Sequence, residues 1–176
     1  GEGLQQRQQK IQARVQRLLP TDDAPRVVEF IGELCGVPFP DVTSPPLRAA
    51  HQNPALMAEQ IAQSFVDYVA AECEQQPVIL VVEDAHWIDV QSTQIIDRML
   101  RALRDQPIWV LALSRPELDD RLPALWQERA VLRLKLSGLG KRACEKLAQG
   151  ALPESLTATA REKAIVRIVE QADGNA

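Results

Sequence analysis

Two adjacent carboxylates, Glu83 and Asp84, directly follow an apolar run of five residues, Val78–Val82, and His86 and Asp89 come shortly after them. A carboxylate pair of this kind can hold a hard divalent cation, directly or through water, and can orient or deprotonate an attacking water molecule. Many buried strands also end in an acidic residue for solubility alone. The pair therefore indicates a site only if other groups converge on it.

A hydroxyl and a guanidinium, those of Ser114 and Arg115, follow a second apolar run, Ile108–Leu113. Arginine makes planar, charge-assisted contacts with phosphate oxygens. A cation-binding acidic pair and a phosphate-binding arginine would together suit phosphoryl chemistry. These residues are the candidate site.

Two strands and the helix between them should position these side chains. Val78–Val82 follows Pro77 and is apolar throughout, which is typical of a strand buried on both faces of a parallel sheet. Asp89 is placed to cap the following helix, and Pro107 ends that connection. Because parallel strands need such a crossover, the polar ends of both strands should lie at one edge of the sheet.

Three helices are predicted before the first strand. Apolar residues recur at helical spacing over Leu4–Leu19, after Pro25 and over a long stretch after Asn53, which should cap the third helix. The proline-rich segment Val37–His51 should be a connecting loop. We interpret His51 as a surface residue.

Further elements are predicted after the second strand. A short helical piece at Leu122–Gln127 should be anchored by Trp126. Val131–Leu136 alternates apolar and basic residues, as a strand at a sheet margin does. Two helices separated by Pro153 follow Gly140.

Composition limits the class of protein. With 176 residues, 45% of them hydrophobic, the chain can fill a core, and its net charge of −4 argues against nucleic acid as a partner. Cys35, Cys73 and Cys144 show no CxxC spacing, and we interpret them as buried thiols in a reducing compartment. No apolar run could span a bilayer, so we expect a cytoplasmic protein with no membrane partner.

The segment around the acidic pair resembles the Walker B element of STAND ATPases, the AAA+-related signal-transducing relatives of NACHT and NB-ARC domains. Five apolar residues precede Glu-Asp-x-His-Trp-x-Asp at positions 83–89. The second apolar run with Ser-Arg-Pro-Glu at positions 114–117 is similar to the sensor 1 strand. The order of elements also agrees, and Ala172–Asn175 looks like the start of the family's lid segment. The resemblance covers most of the chain, most strongly from about Met57 onward.

The resemblance implies an α/β fold, a partial P-loop NTPase of AAA+ type with a parallel sheet flanked by helices and the start of a helical lid. It implies ATP and Mg²⁺ as cofactors of a full-length parent. Glu83 and Asp84 match the residues that hold the metal, Glu83 through water, and Asp84 is also implied to activate the hydrolytic water. Arg115, with Ser114, matches the sensor that contacts the γ-phosphate.

Neighbouring residues of the Walker B segment match family positions too, but we expect structural roles for them. Asp89 should cap the following helix, and Trp87 should pack under the end of the strand. His86 should form a hydrogen bond with a neighbouring loop.

One family element is missing. The chain contains no Gly-x-x-x-x-Gly-Lys followed by Ser or Thr, and so it lacks the backbone cradle and the lysine that bind phosphates. We therefore expect an excised piece of a longer protein, binding ATP poorly or not at all by itself. We divide it into a helical region (1–76), an α/β core (77–137) and a truncated helical lid (138–176).

In the family, the strand of the missing loop lies between the sensor strand and the strand matched here by Val131–Leu136. We predict that Val78–Val82 pairs with Ile108–Leu113. The third strand then docks abnormally, pairs with another molecule as a homo-oligomer or strand-exchanged dimer, or closes directly on the sensor strand.

The sequence also allows three other interpretations. A receiver domain also has an acidic first strand, but it needs an aspartate and a lysine at later strand ends. A metal-dependent hydrolase would use Glu83, Asp84, His86 and Asp89, whose spacing matches no familiar ligand set. The third reading is a non-catalytic scaffold module of the same fold that couples sensor and effector domains of one polypeptide.

Overall fold

The computed structural model of the chain describes residues 2–19, 22–123, 125–126, 129, 131–153 and 155–174. It is a mixed α/β structure, mostly helical, with a small parallel sheet flanked by helices. The chain divides into two compact units, Gly1–Arg129 and Ala130–Ala176. The elements in chain order are α1 (Leu4–Leu18), α2 (Ala24–Leu34), α3 (Pro45–His51), α4 (Pro54–Gln75), β1 (Val78–Val82), a 3-10 turn (Ala85–Trp87), α5 (Val90–Ala102), β2 (Ile108–Ala112), α6 (Glu117–Arg121), α7 (Lys141–Ala151) and α8 (Ala158–Ala172).

Helices α1 and α2 form where the sequence predicts them. They pack through a cluster in which Val15 and Val27 are almost fully buried. Arg14 also ties α1 to α4, because its guanidinium makes hydrogen bonds with both carboxylate oxygens of Glu72. Gly36 follows α2 with φ of +62°, a conformation that glycine adopts without steric cost.

The predicted loop Val37–His51 contains a helix, α3, and that part of the prediction is wrong. Pro45 and Pro46 occupy the first helical positions, where a missing N–H costs no hydrogen bond. Ser44 caps the helix by accepting a hydrogen bond from the amide of Leu47. The prolines therefore begin a helix instead of excluding one.

Helices α4 and α5 cover one face of the sheet. Asn53 caps α4, as predicted, by accepting hydrogen bonds from the amides of Ala55 and Leu56. The core beneath contains Met99 of α5, which is fully buried. It joins side chains from both helices to alternate strand residues: Val66, Val69, Cys73, Ile96, Leu103, Val78, Leu80, Val82, Ile108 and Val110.

The opposite face of the sheet is exposed, so the prediction that β1 is buried on both faces is wrong. Trp109 is 72% exposed and Ile79 is 66% exposed. Val81, Leu111 and Leu113 lie beside them, each nearly half exposed. The physical reason is that α4 and the crossover helix α5 both lie on the first face, and no other described element of the first unit covers the second.

The short helix after β2 lies earlier than predicted. It is α6, residues Glu117–Arg121, and the described residues of Leu122–Gln127, which leave out 124 and 127, form no helix. Acidic side chains in its first turn complement the helix dipole, and Pro123 prevents its extension. Trp126, which we expected to anchor that helix, packs against the core of α4 and α5.

The second unit contains α7 and α8, both predicted, and Thr157 caps α8 through the amide of Ala160. The residues of the predicted strand, Val131–Leu136, form no ladder with any described part of this chain, and Leu136 is 95% exposed. Pairing of this segment with another molecule stays a prediction. An isolated strand lacks the cross-strand hydrogen bonds that stabilise it, and the regular elements that the described residues of this unit form are helices.

The cysteines fit the predicted pattern in part. All three are free thiols, and Cys73 and Cys144 are buried, but Cys35 is exposed at the end of α2. Burial raises the pKa of the Cys73 thiol. None of the described helices combines the length with the hydropathy that a membrane span requires.

Candidate functional site

The site lies where the two strands end. β1 and β2 pair in parallel, from Val78 opposite Ile108 to Val82 opposite Ala112, as the sequence predicts. The pairing continues past Val82, whose carbonyl accepts from the amide of Leu113 at 2.9 Å. Residues that follow the two strands therefore leave the sheet side by side.

A groove of about 350 Å³ opens at this edge. It is lined by Glu83, Asp84, Leu113, Ser114 and Arg115. The structure thus brings together the four residues that sequence reasoning selected, although they come from segments about thirty positions apart. Their chemical roles stay predictions.

Asp84 has an unusual backbone conformation, with φ of 50° and ψ of 40°. This left-handed region is uncommon for residues other than glycine, and aspartate tolerates it better than most. The carbonyl of Asp84 accepts from the amide of Trp87 at 2.8 Å, which closes the 3-10 turn. Strained residues of this kind often occur at functional sites, and here the side chain of Asp84 is 77% exposed.

The charged side chains of the groove do not form ion pairs with one another. Within the described part of the chain, neither Glu83 nor Arg115 forms an ion pair. Ser114 differs, because its hydroxyl donates to the backbone carbonyl of Arg115 at 2.8 Å. Its proton would have to change partner before it could donate to a ligand.

His86 is buried and lies beside Asp84. Its Nε2 lies 4.0 Å from Oδ1 of Asp84, and its Nδ1 has no hydrogen-bond partner among the described residues. A neighbouring segment instead binds the main chain of His86: the guanidinium of Arg121 donates to the carbonyl oxygen of His86. The expectation for the ring is therefore wrong.

Trp87 does not pack under the strand end, and that expectation is also wrong. The 3-10 turn places its side chain outward, where 76% of it is exposed. Its ring centroid lies 5.3 Å from that of His86, with the planes tilted by 45°. The residue is an exposed aromatic beside the acidic groove.

Asp89 caps α5, as predicted. Its carboxylate accepts from the amide of Ser92 at 2.8 Å and from the hydroxyl of the same residue at 2.7 Å. These hydrogen bonds hold the pKa of Asp89 below its ordinary value. Within the described residues, no three or more His, Cys, Asp or Glu side chains are grouped so that they could hold a metal ion.

Sequence reasoning missed two polar contacts around the site and the helical region. Arg121 gave no signal in the sequence, because its partner is a main-chain oxygen 35 residues away. His51 lies between Asp41 (3.1 Å from Nδ1) and Glu33 (3.3 Å from Nε2). The sequence does not show these contacts, because they depend on how α2 and α3 pack. Hydrogen bonds to Asp41 and then Glu33 raise the pKa of His51.

Comparison with known proteins does not show a family for this chain. No protein-family model matches the chain. It is similar to an uncharacterized protein of Rhizobium meliloti (strain 1021), with 26% identity over 92 residues, which are 52% of this chain and 8% of the relative. The chain thus spans less than a tenth of that relative's length. No solved structure matches.

Proposed function

We propose that this chain is the Walker B and sensor part of a STAND-type, AAA+-like P-loop ATPase that acts in signal transduction. The observation that carries the proposal is that Glu83, Asp84 and Arg115 line one groove at the carboxyl edge of two parallel strands and leave their charges unpaired with one another. Open α/β sheets bind their ligands at this edge.

The chemistry of these side chains fits a magnesium nucleotide. Mg²⁺ is usually held by one or two carboxylates together with water and phosphate oxygens, which is the number of carboxylates that the groove offers. Bound Mg²⁺ and ATP would supply a polarised phosphoryl group. Glu83 would hold the metal through water, Asp84 would orient and deprotonate the attacking water, and Arg115 would bind the γ-phosphate.

The phosphate-binding loop must come from another segment, because the sequence of this chain contains none. By itself the chain should therefore bind ATP weakly and turn it over at no useful rate. The partners that we propose are the other domains of the same cytoplasmic polypeptide, and α7 and α8 would be the beginning of the helical lid that moves with the nucleotide state.

A non-catalytic scaffold is the second candidate, and a specific observation favours it. The exposed face of the sheet carries apolar side chains that monomeric proteins usually cover: Ile79, Val81, Trp109, Leu111 and Leu113. A module whose purpose is to join sensor and effector domains would need such a surface and no phosphate loop.

Titration with fluorescently labelled ATP and Mg²⁺ tests the proposal. A longer form of the protein that contains a phosphate loop should bind, and this chain alone should bind far more weakly. In the longer form, Arg115→Ala should weaken binding roughly 10- to 100-fold, as expected for a lost charged hydrogen bond, whereas Arg104→Ala should not. Longer forms that contain no such loop and do not bind would favour the scaffold.

A further inference from the structure

The acidic residues and Arg115 come from different segments, and two hydrogen bonds hold these segments together. The first is a backbone hydrogen bond from the amide of Ala85 to the carbonyl of Leu113 at 2.9 Å. The second is the side chain of Arg121, which donates to the carbonyl oxygen of His86. They lie on either side of Arg115 in the chain, so the segment that carries Arg115 is fastened to the 3-10 turn at both of its ends.

The 3-10 turn in turn sets the position of Asp84. Trp87 donates its amide to the carbonyl of Asp84, and the left-handed backbone of that residue persists only while its surroundings hold it. The His86 ring does not supply this restraint, since its Nδ1 has no partner in the described chain and its Nε2 is 4.0 Å from the carboxylate. Among the described residues, the side chain that forms a hydrogen bond with the main chain of the turn is that of Arg121.

We propose that Arg121 is a positioning residue of the candidate site, which fixes the acidic pair relative to Arg115 by binding the main chain of His86. This inference rests on the proposed function. Arg121 does not line the groove, so it should not contribute to nucleotide binding directly. It should matter for turnover, because displacement of a catalytic group by about 1 Å can lower a rate roughly 10²-fold.

Amide hydrogen exchange in this chain tests the structural step. Arg121→Ala should raise the exchange rates of the Ala85 and Trp87 amides on the order of tenfold, because the turn opens more often. The amides of α4 should be unaffected. Arg104→Ala is the matched control, since Arg104 is 80% exposed and forms an ion pair with its neighbour Asp105. Unchanged exchange at Ala85 and Trp87 would overturn the proposal.

Steady-state ATP hydrolysis by the longer form tests the functional step. Arg121→Ala should lower kcat about 10²-fold with little change in KM, and Arg121→Lys, which keeps one donor, should recover part of the loss. A variant that changes KM alone, or a lysine variant no better than alanine, would overturn the positioning role while leaving the proposed ATPase intact. If the longer form binds no ATP, the proposed function fails, and the exchange rates alone decide whether Arg121 holds the turn.

Discussion

The amide of Ala85 donates to the carbonyl of Leu113 at 2.9 Å, one residue beyond the acidic pair and two residues before Arg115. This hydrogen bond extends the parallel ladder of β1 and β2 into the segments that carry the charged groups. Main-chain geometry therefore sets the relative position of Asp84 and Arg115 together with the contact from Arg121 to the carbonyl of His86. Substitution of either side chain should remove its chemistry without displacing the other.

The cap of α5 should contribute measurably to stability. Asp89→Ala removes the acceptor for the amide of Ser92, and loss of an N-cap typically costs about 1 kcal/mol in free energy of unfolding. Urea denaturation should show this loss. Asp105→Ala is a suitable control, because Asp105 is 85% exposed, and equal effects of the two substitutions would contradict the capping role.

Acid should destabilise the first unit through Glu72. Burial acts to raise the pKa of this carboxyl, but hydrogen bonds from Tyr68 and Arg14 outweigh it, so the pKa lies below the ordinary 4.5. Because the pKa of Glu72 is lower in the folded state, its ionised carboxylate stabilises that state at pH values above the unfolded-state pKa. This contribution is lost as the pH falls through the folded-state pKa. Urea midpoints from about pH 6 to about pH 3 should therefore fall less steeply in Glu72→Gln than in the wild type. Glu74→Gln, at an exposed neighbouring position, should retain the wild-type slope.

His51 should titrate in the opposite sense. Hydrogen bonds to Asp41 and Glu33 raise the pKa of His51 above 6.5. Its stabilising contribution is therefore complete at pH values below the unfolded-state pKa and is lost as the pH rises through the folded-state pKa. Titration of the imidazole resonances by NMR should give a midpoint above 6.5, and Asp41→Asn should lower it. A midpoint that Asp41→Asn leaves in place would show that the contact does not persist in solution.

The strands and most helices could be predicted because their signals are local. The apolar runs of β1 and β2 and the caps at Asn53 and Asp89 act within a few residues, and all four are confirmed. The convergence of the polar strand ends also followed from the crossover between parallel strands.

The errors arose where local signals depend on distant partners. Val131–Leu136 has the pattern of a strand, but pattern does not supply the neighbouring strand that a ladder requires. An apolar strand likewise predicts that both faces of the sheet are buried, but it does not show whether other elements cover both faces. Arg121 reaches a main-chain oxygen on another segment, and no side-chain pattern records such a contact.

The uncovered face of the sheet predicts a contrast between two core-like residues. Trp109→Ser should change the free energy of unfolding by no more than about 0.5 kcal/mol, because the side chain is 72% exposed. Met99→Ala should cost about 2–5 kcal/mol, because Met99 is fully buried between α4, α5 and the sheet. Chemical denaturation of both variants checks this. A large cost for Trp109→Ser would mean that the face is covered in solution.

The most direct test of the proposed site is the ATP turnover of the longer form with Glu83→Gln and Asp84→Asn. Asp84→Asn should lower kcat about 10²- to 10⁴-fold while ATP still binds, because the attacking water loses its base. Glu83→Gln should also lower turnover, through the magnesium, and Asp105→Asn should leave it unchanged. If the longer form binds ATP with Mg²⁺ and either Glu83→Gln or Asp84→Asn leaves turnover at the wild-type rate, the assignment of the acidic pair is wrong.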